Sequence, residues 1–177
     1  ITSGSQQALD LIGKLFLDSG DTVVVEEPTY LGALQAFRSY EPRFVSVPMD
    51  DDGVRVDRLA QVLEQEKPKL LYLLPNFQNP SGVTMSELRR QQVVELAALH
   101  NVPIIEDDPY GQLRYEGTHQ TPLFVLDSEL ERQPAADPVR GTHVLYTSTF
   151  SKLLAPGLRV AWVLAPEEVI ASLVLLK

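Results

Sequence analysis

Apolar residues follow two patterns along this chain, and the two patterns predict different elements. In the first pattern they recur three or four positions apart, which is typical of a helix that buries one face. This spacing is found at Ala8, Leu9, Ile12, Leu15 and Phe16. We therefore expect a first helix that Ser5 caps and that ends at the polar residues 18–21.

The second pattern consists of short apolar runs bounded by polar residues, Gly or Pro, as in buried strands. These runs occupy residues 22–27, 43–48, 69–75, 102–105, 143–148 and 158–165. Further helices are predicted over about 31–39, 56–66 and 86–100. Residues 116–141 show no clear period, and we expect a long loop there with one short helical turn at about 123–126.

Short strands that alternate with longer helices indicate an α/β fold of three layers. Its mostly parallel central sheet would carry helices on both faces. Ligands of such sheets bind outside the carboxyl ends of the strands. The polar residues that directly follow each strand are therefore the candidates for function.

Composition narrows the class of protein. With 177 residues, 44% hydrophobic and 22% charged, the chain has the composition of a soluble globular domain. Its net charge of −9, without a run of Lys and Arg, argues against a nucleic-acid partner. The sequence has no apolar stretch of the ~20 residues that a membrane span needs, so we expect a cytoplasmic protein with no membrane partner.

The cysteine and histidine content argues against cysteine chemistry and against a metal site. The sequence contains no cysteine, which excludes disulfides and thiolate catalysis. His100, His119 and His143 are too scattered to suggest a metal site, and we expect no metal. The sequence also lacks the glycine motifs of P-loop and dinucleotide-binding proteins and the nucleophile elbow of hydrolases.

Most side chains that could carry chemistry directly follow the predicted strands. They are Glu26, Glu27, Tyr30, Asn76, Asn79, Asp107, Asp108, Tyr110 and the residues from Ser148 to Lys152. One more anion-binding position is predicted where Gly4 lets the backbone turn and the amides of Ser5 and Gln6 open a helix.

This set of side chains suits pyridoxal 5′-phosphate. That cofactor needs a lysine to hold it as a Schiff base, an acid to keep its ring nitrogen protonated, and donors for its phosphate. Lys152 lies among hydroxyl residues in "STFSKLLAPGLR", and Arg159 ends the same segment. A lone lysine is more often a solvated surface charge, but these neighbours favour the cofactor role.

Five segments, in order, resemble the class I and II aminotransferases of fold type I. They are "SGSQQAL", "EEPTY", "PNFQNPSG", "EDDPY" and "STFSKLLAPGLR", and the resemblance covers essentially the whole chain. The most similar branch contains the 2-aminoadipate and aromatic aminotransferases and the aminotransferase-like domains of certain transcription regulators.

The resemblance implies catalytic roles for three residues. Lys152 would form the Schiff base and then move a proton between the substrate α-carbon and the cofactor. Asp107 would pair with the pyridine nitrogen, although the neighbouring acids Glu106 and Asp108 leave a shift by one position open. Tyr110 would hydrogen-bond the phenolic oxygen of the cofactor, which tunes the proton affinity of the imine.

The resemblance also implies cofactor-binding roles for seven further residues. Asn79 would share the phenolic oxygen with Tyr110, or it is a turn residue before Pro80. Tyr30 would stack on the cofactor ring, or it is a half-buried core tyrosine. The phosphate would be held by Ser5, Gln6, Thr149, Ser151 and Arg159. Serine is frequent in the family where Thr149 stands, and threonine keeps the hydroxyl.

The resemblance also implies what this stretch of sequence contains. We expect 1–177 to be a pyridoxal phosphate-binding large domain truncated at both ends, since the sequence opens on Ile1 and closes in an uncapped apolar run. The family's small C-terminal domain, which grips the substrate carboxylate, and its N-terminal segment would be absent. The fragment alone would then be inactive, and the full-length protein would be a homodimer.

The expected activity is transfer of an amino group between an amino acid and a 2-oxo acid, with 2-aminoadipate or aromatic and aliphatic amino acids as substrates. Two alternatives share the same residues. One is a cofactor-binding effector domain of a winged-helix transcription regulator of the GntR/MocR type, and the other is a lyase on the same fold. A third alternative is an α/β domain without a cofactor.

Overall fold

The computed structural model describes residues 1–131 and 143–177. Its helices are α1 (Ser5–Phe16), α2 (Leu31–Arg38), α3 (Val56–Glu66), α4 (Glu87–His100), α5 (Leu123–Glu131), α6 (Phe150–Leu153) and α7 (Glu167–Leu176). Its strands are β1 (Thr22–Glu27), β2 (Arg43–Asp50), β3 (Gly53–Val54), β4 (Leu70–Leu73), β5 (Ile104–Asp107), β6 (Val144–Thr149) and β7 (Ala161–Leu164). Short 3₁₀ helices lie at Gly111–Leu113 and Pro156–Leu158.

The described strands form a seven-stranded sheet in the order β3-β2-β1-β4-β5-β6-β7. All neighbours from β2 to β6 are parallel, whereas β3 and β7 add antiparallel edges. The predicted mostly parallel sheet is therefore confirmed. Asp107 at the end of β5 lies opposite Thr147 of β6, so the end of β5 is beside the segment that leads to Lys152.

Two apolar cores cover the two faces of the sheet, because successive strand residues point to opposite sides. On one face α3, α4 and α5 pack against residues that include Val24, Leu71 and Ile104. On the other face α1, α2 and α7 pack against residues that include Val23 and Ile105. The three-layer α/β architecture predicted from the sequence is confirmed.

Helix α5 is longer than the sequence predicted. A short turn was expected at about 123–126, but the helix extends from Leu123 to Glu131. Glu106, which is fully buried at the end of β5, accepts hydrogen bonds from the first two amides of this helix, Leu123 N (3.0 Å) and Phe124 N (2.9 Å). This cap comes from a distant part of the chain. The rest of the expected loop, from 132 onward, lies outside the described residues.

Several element boundaries also differ from the prediction, and two of them lie next to candidate site residues. The predicted cap at Ser5 is wrong, because Gly4 occupies the cap position with φ 87°, and Ser5 is the first helical residue. The last strand begins at Ala161 rather than at Leu158, since Arg159 has a left-handed backbone with φ 50°. That conformation turns the chain and separates the Arg159 side chain from the strand.

The described helices include none that joins sufficient length to sufficient apolar character for crossing a bilayer.

Candidate active site

A cavity of about 120 Å³ opens at the carboxyl edge of the parallel strands. It is lined by Ser5, Tyr30, Leu74, Asn79, Asp107, Pro109, Tyr110, Thr149 and Lys152. Seven of these nine residues are site residues predicted from the sequence. They come from the last residues of β5 and β6, from the segments after β1, β4, β5 and β6, and from the start of α1. The topology thus brings together groups that are far apart in sequence, as expected for a parallel sheet.

Asp107 is the buried acid that lines this cavity. It is 3% exposed, and its Oδ2 accepts a hydrogen bond of 2.7 Å from the hydroxyl of Tyr72. Its Oδ1 is also buried and has no hydrogen-bond partner among the described residues. Burial raises the pKa of Asp107 to about 6, and the Tyr72 hydroxyl opposes this shift. The free oxygen is suited to a cationic donor placed in the cavity.

The structure also separates the three consecutive acids. Glu106 points away from the cavity and caps α5. Asp108 accepts from the side chain of Asn76 (3.0 Å), the amide of Gly111 (2.8 Å) and the hydroxyl of Tyr146 (3.1 Å). Asp107 is the member of the three that lines the cavity.

Lys152 also lines the cavity and lies just after β6. Thr149 ends that strand and caps the four-residue α6, since its Oγ1 accepts from the Ser151 amide at 3.1 Å. Lys152 is exposed, and its Nζ lies 5.9 Å from the centre of the Tyr110 ring. Lys152 thus supplies an accessible primary amine in the same cavity as a buried acid and a phenol, and such an amine can bind a carbonyl compound covalently as a Schiff base.

Two further side chains form the walls. Tyr30 is half-buried directly before α2, and burial raises the pKa of its phenol, with smaller contributions from Asp107 and Tyr110. Asn79 lines the cavity from the loop after β4. The structure therefore places Tyr30 at the site and not wholly within the core.

The candidate phosphate-binding groups lie next to one another, but three of them do not line the cavity. The side chain of Gln6 is turned away and donates to the carbonyl of Gly32 at 2.8 Å. The hydroxyl of Ser151 accepts from Thr149 at 3.0 Å. The guanidinium of Arg159 packs against Gly4, where a Cβ atom would collide with it. Glycine at position 4 therefore allows both the backbone turn and the approach of Arg159.

Two buried polar residues near the site were not predicted from the sequence. Tyr72 is fully buried in β4. It stands in an apolar run, and such a run predicts only that its side chains pack in the core. Arg90 is 0% exposed although the sequence around it is polar, and it donates to the carbonyls of Met85, Thr121 and Pro75 and to the side chain of Asn76. No local pattern distinguishes Arg90 from a surface arginine.

Glu26 is a second buried acid near the site. It ends β1 at 1% exposure, and its Oε2 accepts from the amide of Leu74 (3.1 Å) and the side chain of Gln78 (3.2 Å). Burial raises its pKa to about 8, because these two hydrogen bonds only partly offset the loss of hydration. Within the part of the chain that the structure describes, no three His, Asp or Glu side chains lie close enough to hold a metal ion.

The fold and this cavity define a three-layer α/β domain with a polar cavity at the carboxyl edge of its sheet. The chain belongs to the aminotransferase class I and II family, whose model matches residues 1–177. It is 48% identical over 181 residues to aromatic-amino-acid aminotransferase 1 of Thermococcus litoralis, an alignment that covers 99% of this chain and 40% of that protein.

Two other matches represent the two branches of relatives. The structure of α-aminoadipate aminotransferase from Thermus thermophilus, complexed with N-(5′-phosphopyridoxyl)-L-leucine, superposes with a TM-score of 0.89 at 42% identity, over 98% of this chain and 42% of that chain. The uncharacterised HTH-type transcriptional regulator YisV of Bacillus subtilis is 39% identical over 173 residues, covering 98% of this chain and 33% of that protein. The chain thus spans about two fifths of the length of these aminotransferases and one third of the regulator.

Proposed function

We propose that this chain binds pyridoxal 5′-phosphate and forms the cofactor-binding domain of an aminotransferase. The observation that carries the proposal is the buried Oδ1 of Asp107, which has no hydrogen-bond partner in the described ranges 1–131 and 143–177 and belongs to a residue that lines one cavity with Lys152 and Tyr110. A pyridine nitrogen that must stay protonated is the kind of donor that this oxygen lacks. Membership of the family and the phosphopyridoxyl ligand of the Thermus relative support the same cofactor.

Lys152 and Asp107 would work at opposite ends of the cofactor. Lys152 would hold it covalently through Nζ and, when freed by the substrate amine, remove the proton from the substrate α-carbon. Asp107 would keep the ring nitrogen protonated, held in place by Tyr72. The bound cofactor supplies the electron sink for the charge left on that carbon.

The other site residues would orient the cofactor. Tyr110 and Asn79 would donate to its phenolic oxygen, and Tyr30 would stack on its ring. The phosphate would bind the backbone amides at the start of α1, the hydroxyls of Ser5, Thr149 and Ser151, and the guanidinium of Arg159, a set of donors suited to a dianion. Gln6 would contribute through its backbone N–H, because its side-chain amide is already bonded to the carbonyl of Gly32.

The complete protein would transfer an amino group between an amino acid and a 2-oxo acid. Relatives named for aromatic amino acids and 2-aminoadipate support these substrates. The separate C-terminal domain, the homodimer and the cytoplasmic location stay predictions. Since the aminotransferase relatives are more than twice as long as the chain, we expect residues 1–177 alone to lack turnover.

The test is covalent trapping of the cofactor. The complete protein mixed with pyridoxal phosphate should show a visible absorption band, and borohydride should fix the cofactor on the peptide that contains Lys152. The variant Lys152→Ala should lose both, whereas Lys14→Ala, at a last-turn lysine of α1, should keep both. An unchanged band in Lys152→Ala would overturn the assignment. Incubation with amino acids, with and without a 2-oxo acid, then separates amino transfer from lyase chemistry.

The similarity to YisV favours a second candidate, the effector domain of a transcription regulator. Such a protein would use the same cavity as a sensor of the cofactor. A basic helix-turn-helix segment upstream in the complete polypeptide, together with specific DNA binding, would replace the enzyme proposal by this one.

A further inference from the structure

Gln78 bonds the loop after β1 to the loop after β4. Its side chain is 1% exposed. On the β1 side, Nε2 donates to the carbonyl of Pro28 at 2.7 Å and to Oε2 of Glu26 at 3.2 Å. Pro28 is two residues before Tyr30, so these bonds hold the segment that carries the candidate stacking residue.

The same side chain organises the loop that carries Asn79. Its Oε1 accepts from the amide of Ser81 at 2.9 Å and from the Ser81 hydroxyl at 2.7 Å. The backbone amide of Gln78 donates to the carbonyl of Val83 at 2.8 Å, which closes the loop on itself. Asn79 lies between the two bonded residues and therefore has little freedom to leave the cavity wall.

Every hydrogen-bonding position of the Gln78 side-chain amide has a partner. A glutamine amide has two N–H donors and one oxygen with two lone pairs, and here each has a protein partner. A buried amide with all partners satisfied has a single orientation, because turning it would leave donors and acceptors unpaired. Its position thus determines how the two loops are placed relative to each other.

We propose that Gln78 is a positioning residue for the cofactor site, which places Tyr30 and Asn79 on the same ring. Gln78 does not line the cavity, so it acts through these two neighbours. The inference rests on the proposed function, since it assumes that both neighbours contact pyridoxal phosphate. Loss of the Gln78 bonds would let Asn79 withdraw from the phenolic oxygen. That oxygen would then hold the proton of the cofactor–lysine linkage more tightly, and the linkage would lose its proton at a higher pH.

The test uses Gln78→Met, which keeps the length of the side chain and removes its hydrogen bonds. In the complete protein, the pH midpoint of the visible band should rise by about half a unit or more. The dissociation constant for pyridoxal phosphate should increase roughly tenfold, as expected for one or two lost contacts. The matched control is Gln65→Met on the exposed face of α3, which should change neither quantity. A wild-type midpoint and affinity in Gln78→Met would overturn the inference.

A second variant covers the case in which Gln78→Met fails to fold. Ser81→Ala removes one donor to Gln78 and should raise the midpoint in the same direction by a smaller amount; no shift in this variant would also overturn the inference. In the double variant, the Ser81 change should add little to the Gln78 change, because both act through one contact. Additive shifts would contradict this coupling. A wild-type protein without any visible band would instead refute the proposed function.

Discussion

The hydroxyl of Tyr72 donates a 2.7 Å hydrogen bond to Oδ2 of Asp107, in the interior of the sheet. Both residues are at most 3% exposed, and they lie on neighbouring strands, β4 and β5. The bond stabilises the carboxylate against the cost of burial and orients it, and Oδ1 is left without a hydrogen-bond partner among the described residues. It also explains why a tyrosine occupies a strand position that otherwise suits any large apolar residue.

The variant Tyr72→Phe should shift a proton from the cofactor toward Asp107. Only the hydroxyl is lost, and a hydrogen bond to a charged group contributes about 1.5–3 kcal/mol. The pKa of Asp107 should therefore rise, and amino transfer should slow by roughly tenfold or more. The proton position can be measured by ¹⁵N NMR with cofactor labelled at the ring nitrogen. Tyr115→Phe, at a site that is 91% exposed, is the control and should leave the nitrogen resonance unchanged.

Without cofactor, the variant Asp107→Asn should be more stable than the wild type. With cofactor, it should transfer amino groups more slowly. The pKa of Asp107 is about 6 in the folded protein, above its usual value, so the folded form binds more protons between about pH 4 and pH 6. Its contribution to the free energy of unfolding falls as pH rises through this window. At pH 8, thermal unfolding of the cofactor-free variant should therefore occur at a higher temperature than in the wild type. Amino transfer should fall on the order of 10²–10³-fold, and a rate near the wild-type value would contradict the assigned role.

Glu26 should make the free energy of unfolding fall as pH rises from about 5 to about 8. Its pKa is raised to about 8, so the folded state binds the extra proton between about pH 5 and pH 8. Urea unfolding of the cofactor-free protein should give free energies that fall across this window. In Glu26→Gln the slope should be smaller but not zero, because Glu106, with a pKa raised to about 7, contributes with the same sign. Equal slopes in the two proteins would show that Glu26 is ionised throughout.

Replacement of Arg90 should lower the free energy of unfolding by more than is usual for an arginine on a polar helix. Its guanidinium donates to four acceptors from inside the protein, and the three donors of lysine lack the planar geometry to reach them together. Arg90→Lys should lower the free energy of unfolding by roughly 2–4 kcal/mol, the cost of leaving one or two buried acceptors unpaired. Arg38→Lys, at an exposed position on α2, should change it by less than about 0.5 kcal/mol in the same urea titration.

Sequence reasoning found the elements whose pattern is local. The first strand, predicted over 22–27, has those bounds in the structure, and the helix predicted over 56–66 does as well. It failed for α5, because the cap of that helix is supplied by Glu106 from a distant strand. The candidate site followed the same division. Lys152 and Asp107 were both assigned from the segments in which they stand, and the structure adds that Asp107, rather than either acidic neighbour, lines the cavity.

By itself, the sequence determined the order of helices and strands, the parallel character of the sheet and the edge at which function would lie. These properties depend on the spacing of apolar residues and on the polar residues that end each strand, which are local features. Only the tertiary structure decided which side chains enter the cavity and which hold them there. Tyr72, Gln78 and Arg90 acquire their roles from partners 14 to 52 residues away, and such pairings are set when strands and helices pack together.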